Sequence, residues 1–228
     1  MGLILLKIGL FFLAYLIGSI PNGVWIGKLF LNINLTEHGS KNTGASNAIR
    51  VMGLKLGILT LILDAFKASF VIILAKYLFP LMINDFTTTI TIFSKTFDYS
   101  IVYGLFAIIG HTFSLFLKFK GGKAVAPSLG IVITLTPYIG ILAIVVYTIV
   151  VLLTKYASVG STFAAFAVGI GTIVQFLIQG NFQKQLFVVI VYWLMILFIF
   201  YRHIPNYKRL IKGTETKMKL GKKAKDEQ

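Results

Sequence analysis

Lys41, Arg50, Lys118, Lys120 and Lys123 lie within or beside two glycine-rich polar stretches, HGSKNTGASNAIR and GHTFSLFLKFKGGKA, of an otherwise apolar chain. Glycines leave backbone N–H groups open to an approaching oxygen, and lysine and arginine add charge. That combination suits phosphate better than a neutral solute. In the first stretch Ser40, Asn42, Thr43, Ser46 and Asn47 alternate with Gly39 and Gly44 ahead of an apolar run, so N–H groups and hydroxyls can converge on an anion at a helix start. The GxxxxGK[ST] pattern of a nucleotide phosphate loop is absent, so ATP hydrolysis is not implied.

In the second stretch Lys123 is the foremost ligand candidate. Gly121 and Gly122 let the chain bend close to a bound group, His111 and Ser114 support from the adjoining span, and Lys118 and Lys120 read as interfacial anchors. Ser158 in KYASVGS offers a hydroxyl that can cap a helix or ligate phosphate. In RHIPNYKRLIKGTE, His203 and Asn206 sit three apart with Arg202 and Arg209 nearby, placed to meet a second polar anion. The three histidines do not cluster with the seven acidic residues, and there is no cysteine. A protein-bound metal, a Ser-His-Asp triad and a thiol nucleophile therefore lack support. Orientation and anion neutralisation remain as the means of catalysis.

The elements that must hold these groups are membrane helices. Of 228 residues 57% are hydrophobic and 13% charged, about half the charged share of a soluble domain, and mean hydropathy is +0.87. The net charge of +15 gathers at the ends of apolar runs, which points to membrane topology and away from nucleic acid. Placing the basic segments on one side gives spans near 3–27, 51–80, 99–117, 124–136, 138–154, 160–178 and 185–201. The expected fold is an all-α integral membrane protein of seven transmembrane helices, N-terminus outside and C-terminus cytoplasmic. Residues 1–215 form one domain and 216–228 a basic, flexible tail. Gly18, Pro21, Gly23 and Gly27 read as packing and kinking residues, with Ser19 and Asn22 holding that turn locally. Asp64 and Lys67, three apart in an apolar run, read as an ion pair, or as a brace for the polar loop. NDFTTTITIFSKTFD reads as an exterior loop with strand propensity.

Taken in order, GSIPNG, HGSKNTGASNAIR, GHTFSLFLKFKGGKAVAP, KYASVGS and RHIPNYKRLIKGTE resemble the signatures of the PlsY family, bacterial acyl-phosphate:glycerol-3-phosphate acyltransferases, over residues 3–215. The resemblance implies transfer of a fatty acyl group from acyl phosphate to the 1-hydroxyl of glycerol 3-phosphate, at the cytoplasmic face of the bacterial inner membrane, among membrane lipids and without a cofactor. It implies that Ser40, Arg50, Lys123, His203 and Asn206 hold the acceptor. The second motif, with Gly39, Asn42, Thr43, Gly44, Ser46 and Asn47, wraps the acyl phosphate, and Ser158 is a further phosphate-side ligand. Lys41 stands where the family's GSGN has glycine, Ser46 where GATN has threonine, and Ala124 where GGKG has its last glycine. From residue chemistry alone, a transporter for phosphate or another small anion is the competing function.

Overall fold

The structure is a computed structural model describing residues 1–92 and 95–218. Helix α1 (Gly2–Ser19) ends where Pro21, lacking an N–H, interrupts the ladder, and α2 (Asn22–Leu31) follows immediately. The run expected as one span over 3–27 is therefore two helices. The first polar stretch forms a loop leading into short α3 (Ala45–Met52). Next comes α4 (Leu54–Ile73), which continues through a π turn (Leu74–Leu78) into α5 (Phe79–Met82). Strands β1 (Thr89–Ile92) and β2 (Lys95–Asp98) pair antiparallel with Thr89 opposite Asp98. The stretch expected as an exterior loop with strand propensity thus forms an antiparallel strand pair, which suits its β-branched alternation.

Among the described residues five α-helices follow: α6 (Ser100–Thr112), α7 (Val125–Leu135), α8 (Pro137–Thr154), α9 (Ala157–Ile178) and α10 (Phe182–Ile211). Pro137 opens α8, where a missing N–H costs nothing. Among the described residues six helical runs are long and apolar enough to cross a membrane. The segment expected over 124–136 is the 11-residue α7, about 16 Å long at 1.5 Å per residue and shorter than the hydrocarbon.

Leu10, Ala14, Val71, Ile72, Tyr103, Ala107 and Ile131 are buried in a common core. Phe12, Phe66, Leu153 and Leu197 instead face outward, the inversion expected of a protein solvated by lipid. Helices approach closely at small residues. A side chain at Gly18 would stand 2.2 Å from the Ala107 carbonyl oxygen, and one at Gly130 would stand 2.0 Å from that of Ala65, so α1 packs on α6 and α4 on α7 at backbone range.

The two ends of the bundle differ. At one end Lys76 pairs with Asp98 at 2.8 Å, and Lys7, near the start of α1, lies 5.4 Å from the Phe86 ring centre. Burial pushes the Asp98 carboxyl up, but Lys76 and Ser100 outweigh it and hold it below the usual carboxylate range. At the other end, buried Asp64 and Lys67 pair at 3.1 Å. Asn22 donates to Asp64 at 3.0 Å and Lys67 to the Ile20 carbonyl at 3.0 Å. Asn22 therefore does not hold its own turn locally; it bonds a residue 42 positions away, and the Asp64–Lys67 pair clamps the break between α1 and α2.

Candidate active site

A cavity of about 470 Å³ opens at this second end and extends between α4, α7, α8, α9 and α10. Its inner wall is apolar, with Leu129, Val132, Ala165, Val168, Met195 and Ile196, while its mouth carries Ser40, Arg50, Lys123, Ser158, His203, Asn206 and Glu215.

The first wall of the mouth is the loop before α3. Asn47, 1% exposed, donates to the Leu35, His38 and Asn42 carbonyls at 3.2, 3.0 and 2.9 Å and accepts from the Ser40 N–H at 2.8 Å. One amide thus ties together a loop that has no regular structure of its own. Gly39 has φ 58°, and a side chain there would stand 2.4 Å from the Asn47 Oδ1. Asn42 Oδ1 accepts from the Gly44 N–H at 2.9 Å. The N–H groups of Ala45 and Ser46, opening α3, have no partner among the described residues, and both residues line the cavity, which leaves donors for an anion. From the last turn of α3, Arg50 Nη2 donates to the Thr216 carbonyl at 2.9 Å, while its Nε is buried without a partner among the described residues. Burial lowers the Arg50 pKa and nearby Glu215 opposes that shift.

The second wall follows α6. Gly121 and Gly122 donate to the Thr112 and His111 carbonyls at 3.0 Å each, and a side chain at Gly122 would stand 2.1 Å from His111 Nε2. This folded-back loop delivers Lys123, whose ammonium donates to Asn206 Oδ1. Burial, reinforced by Arg209, Arg50 and Arg202 against the opposing Glu215, pushes the Lys123 pKa down to about 8. Arg202 Nη2 holds the Gly122 carbonyl at 3.1 Å, bracing the loop from α10.

The third wall combines α9, the end of α10 and the chain beyond it. His203, buried, places Nδ1 2.8 Å from the Ile199 carbonyl. Only a protonated nitrogen pairs with that oxygen, so in the neutral ring Nε2 is left as an acceptor. The chain then turns back. Thr214 N–H bonds the Arg209 carbonyl at 2.8 Å and Met218 N–H the Lys155 carbonyl at 2.7 Å, and Met218 is buried beside Val151 and Ala157. The segment expected as tail is therefore docked as far as Met218, and the lysines from Lys219 onward lie outside the described residues. Docking brings Glu215 into the mouth, where it accepts from Asn206 Nδ2 at 2.7 Å, Arg209 Nε at 2.7 Å and Ser158 Oγ at 3.3 Å.

Of the candidates read from sequence, Ser40, Asn42, Gly44, Ser46, Asn47, Arg50, His111, Lys123, Ser158, His203 and Asn206 border one cavity. Gly39, Thr43, Ser114, Gly121 and Gly122 stand behind it. Ser114 donates to the Ser19 carbonyl at 2.5 Å and so joins the chain just after α6 to the end of α1, and Thr43 is buried against α2. Lys118 and Lys120 are exposed. Glu215 and the bracing use of Arg202 were not read from sequence. The only signal for Glu215 was a lone carboxylate closing an otherwise basic motif. Among the described residues no cluster of histidine and carboxylate suits a metal.

A cation-rich mouth opening onto an apolar trough, built on membrane helices, defines a membrane protein suited to an amphiphile with an anionic head. The family model for glycerol-3-phosphate acyltransferase matches residues 8–213, and the chain belongs to that family of membrane enzymes. It is 40% identical to a glycerol-3-phosphate acyltransferase of Acholeplasma laidlawii over 215 residues, 90% of each chain. It is 41% identical to one of Fusobacterium nucleatum over 208 residues, 91% of this chain and 96% of the relative. Crystal structures of PlsY, an integral membrane glycerol 3-phosphate acyltransferase, superpose with TM-score 0.74 in the glycerol 3-phosphate form and 0.71 in the lysophosphatidic acid form. Each is 30% identical and covers 93% and 92% of this chain, and the chain covers 95% and 94% of them.

Proposed function

We propose that this protein transfers a fatty acyl group from acyl phosphate to the 1-hydroxyl of glycerol 3-phosphate, forming 1-acylglycerol 3-phosphate and inorganic phosphate. The observation carrying this reading is the continuity of one cavity from the charged mouth to the apolar trough. The trough takes the acyl chain. The free N–H groups of Ala45 and Ser46, with Asn42, Gly44 and Ser158, take the donor phosphate. Arg50, Lys123, His203 and Asn206, with Ser40, hold the acceptor. Neutral His203 accepts a hydrogen bond at Nε2 from an acceptor hydroxyl and orients it. The 1-hydroxyl oxygen attacks the donor carbonyl, the bond from that carbon to the phosphate oxygen breaks, and the proton passes to a phosphate oxygen. Acyl phosphate already carries a good leaving group, so proximity and cationic neutralisation lower the barrier.

The same reading gives seven crossings, with α7 as the short one, and places the site on the cytoplasmic face of the inner membrane. Two features support it. Lys7 lies at the strand-pair end, whereas Asn206 and Arg209, at the other terminus, lie at the cavity mouth, as an odd number of crossings requires. Arg50, Lys123 and Arg209 share that mouth, and clustered basic residues mark the cytoplasmic side. The chemistry is tested by supplying purified protein in detergent with glycerol 3-phosphate and, in turn, acyl phosphate, acyl-CoA and acyl carrier protein. Turnover with acyl phosphate alone is expected. Preference for either thioester, or no transfer at all, defeats the reading.

A further inference from the structure

We propose that Glu215 is a positioning residue of the acyl-transfer site, a docked carboxylate that aims Asn206, and through it the ammonium of Lys123, at the acceptor phosphate. The proposal rests on the reading above, in which Lys123 and Asn206 meet glycerol 3-phosphate.

An asparagine side chain presents an acceptor on one edge and donors on the other, and rotation by half a turn exchanges them. Here the two edges have opposite neighbours. Lys123 can only donate and faces Oδ1, while the Glu215 carboxylate faces Nδ2 at 2.7 Å. The carboxylate therefore selects the rotamer in which the amide accepts from Lys123, and an ammonium with one hydrogen so committed turns the others along fixed directions. Asn206 keeps a second N–H, which Glu215 leaves free for substrate. With Glu215 removed, Lys123 alone favours that rotamer; a flipped amide would set its own donors against the ammonium, which Arg209, Arg50 and Arg202 already repel.

Glu215 is itself held firmly. It is 7% exposed, its Oε2 takes the Arg209 guanidinium at 2.7 Å, and the backbone on either side is pinned. Thr214 N–H is fixed on the Arg209 carbonyl, Met218 N–H on the Lys155 carbonyl and the Thr216 carbonyl under Arg50. Those anchors come from α10, from the α8–α9 connection and from α3, so the strap over 214–218 joins the first and third walls of the mouth. It also sets the charge there. Arg50, Arg202 and Arg209 surround Lys123, and Glu215 is the anion among them. A carboxylate bonded to Asn206 and Ser158 has the alternative of acting as an internal substitute for phosphate, in which case substrate would have to displace it. The two roles predict opposite signs.

The test measures kcat and both KM values for full-length purified wild type, Glu215→Ala, Glu215→Gln, Asn206→Ala, Lys123→Ala and the Asn206→Ala/Glu215→Ala double variant, with thermal unfolding of each. A positioning role predicts that Glu215→Ala raises the acceptor KM by about 10-fold or more, the effect of one charge-assisted hydrogen bond, while the donor KM stays within about twofold. Gln keeps an acceptor for Asn206 and recovers part of that loss. The double variant is no worse than Asn206→Ala, because Glu215 acts through Asn206. A lowered acceptor KM or raised turnover in Glu215→Ala makes Glu215 a competitor for the anion site and overturns the proposal. So do fully additive losses in the double variant, or equal loss in Ala and Gln variants that follows only their lowered unfolding temperature. If Asn206→Ala and Lys123→Ala impair acceptor kinetics and Glu215→Ala does not, the proposal alone fails. If neither of the first two matters, the site assignment fails and takes the proposal with it.

Discussion

The Lys123 ammonium donates to the side-chain carbonyl of Asn206, 83 residues further along the chain. The bond joins the loop after α6 to the cytoplasm-directed end of α10 in our proposed orientation, and it sets the state of the cation that the substrate must meet.

At subsaturating acceptor, turnover should fall as pH rises through about 8, because burial and the surrounding arginines bring the Lys123 pKa of the empty site down to about 8. The folded, empty site holds that proton less tightly than the unfolded chain does. Lys123 therefore weakens the fold most below about pH 8, and the cost is relieved as pH climbs toward the ordinary lysine range. A bound phosphate reverses the shift, so binding draws in a proton and the acceptor KM should increase above pH 8. Lys123→Arg should flatten that rise, since arginine stays charged. Lys123→Ala should cost roughly 10- to 150-fold in turnover. A pH series of acceptor KM from about 6.5 to 9.5 for wild type and Lys123→Arg decides the matter; parallel curves would contradict it.

Lys41→Gly should stabilise the protein. Lys41 has φ 57° and is exposed, and a left-handed conformation costs a residue with a Cβ about 1–2 kcal/mol. Glycine gives back about 0.5–1 kcal/mol of that through its freer unfolded chain. The net gain is about 0.5–1 kcal/mol, visible as a higher unfolding temperature. Ala124, at φ 69°, is the instructive contrast. Its methyl is fully buried, and losing it forfeits about 0.8 kcal/mol, so Ala124→Gly should come out near neutral. A Lys41→Gly protein that melts below wild type would show that this side chain makes a contact worth more than the strain.

Asp64→Asn should destabilise by at least about 3 kcal/mol, because it strands the Lys67 ammonium in the bundle. Both side chains are buried and bonded to each other, to Asn22 and to the Ile20 carbonyl. Asp64→Asn combined with Lys67→Met removes both charges and should recover most of the loss. Thermal unfolding of the single and double variants is the check, and a double variant worse than the single one would mean that the ammonium has partners enough without Asp64.

The ion pair also marks how far sequence reached. Two opposite charges three apart on an apolar helix can hardly be separate, so Asp64–Lys67 was legible, as were the apolar runs and the single basic face of the site. Lys41 and Ala124, where the resemblance leads one to expect glycine, both take positive φ, the backbone region that glycine enters without penalty. The bonds that cross the chain were not legible. Asn22 looked like a turn residue because its partner lies 42 positions away, and Glu215, though inside the last motif, was given no role because nothing local shows that Met218 beyond it is buried beside α8. Asn47 reads as a ligand by type, yet its amide is largely taken up by loop carbonyls. Periodicity reports which face of a helix is buried; it carries no information about which distant polar group a buried amide will find.

His203 and Asn206 should both serve the acceptor, and they should fail differently. His203 Nδ1 is fixed on the Ile199 carbonyl at 2.8 Å, which holds the ring and leaves Nε2 toward the cavity. A hydroxyl bonded there is oriented for attack without the imidazole having to take its proton, since the donor phosphate lies nearer the reacting bond. His203→Ala should therefore lower kcat as well as raise the acceptor KM. Asn206→Ala removes the group that receives Lys123 and should act mainly on the acceptor KM, because the interaction it steers is with a phosphate that is bound in ground and transition state alike. His203→Gln, which can place an amide near the same point, should restore part of kcat if orientation is the role and little if proton transfer is. The measurement is a full two-substrate kinetic series on variants shown to be folded. Unchanged acceptor kinetics in both alanine variants would move the glycerol phosphate site elsewhere in the cavity, and loss confined to the donor KM would exchange the two phosphates between the walls that Ser158 and Lys123 define.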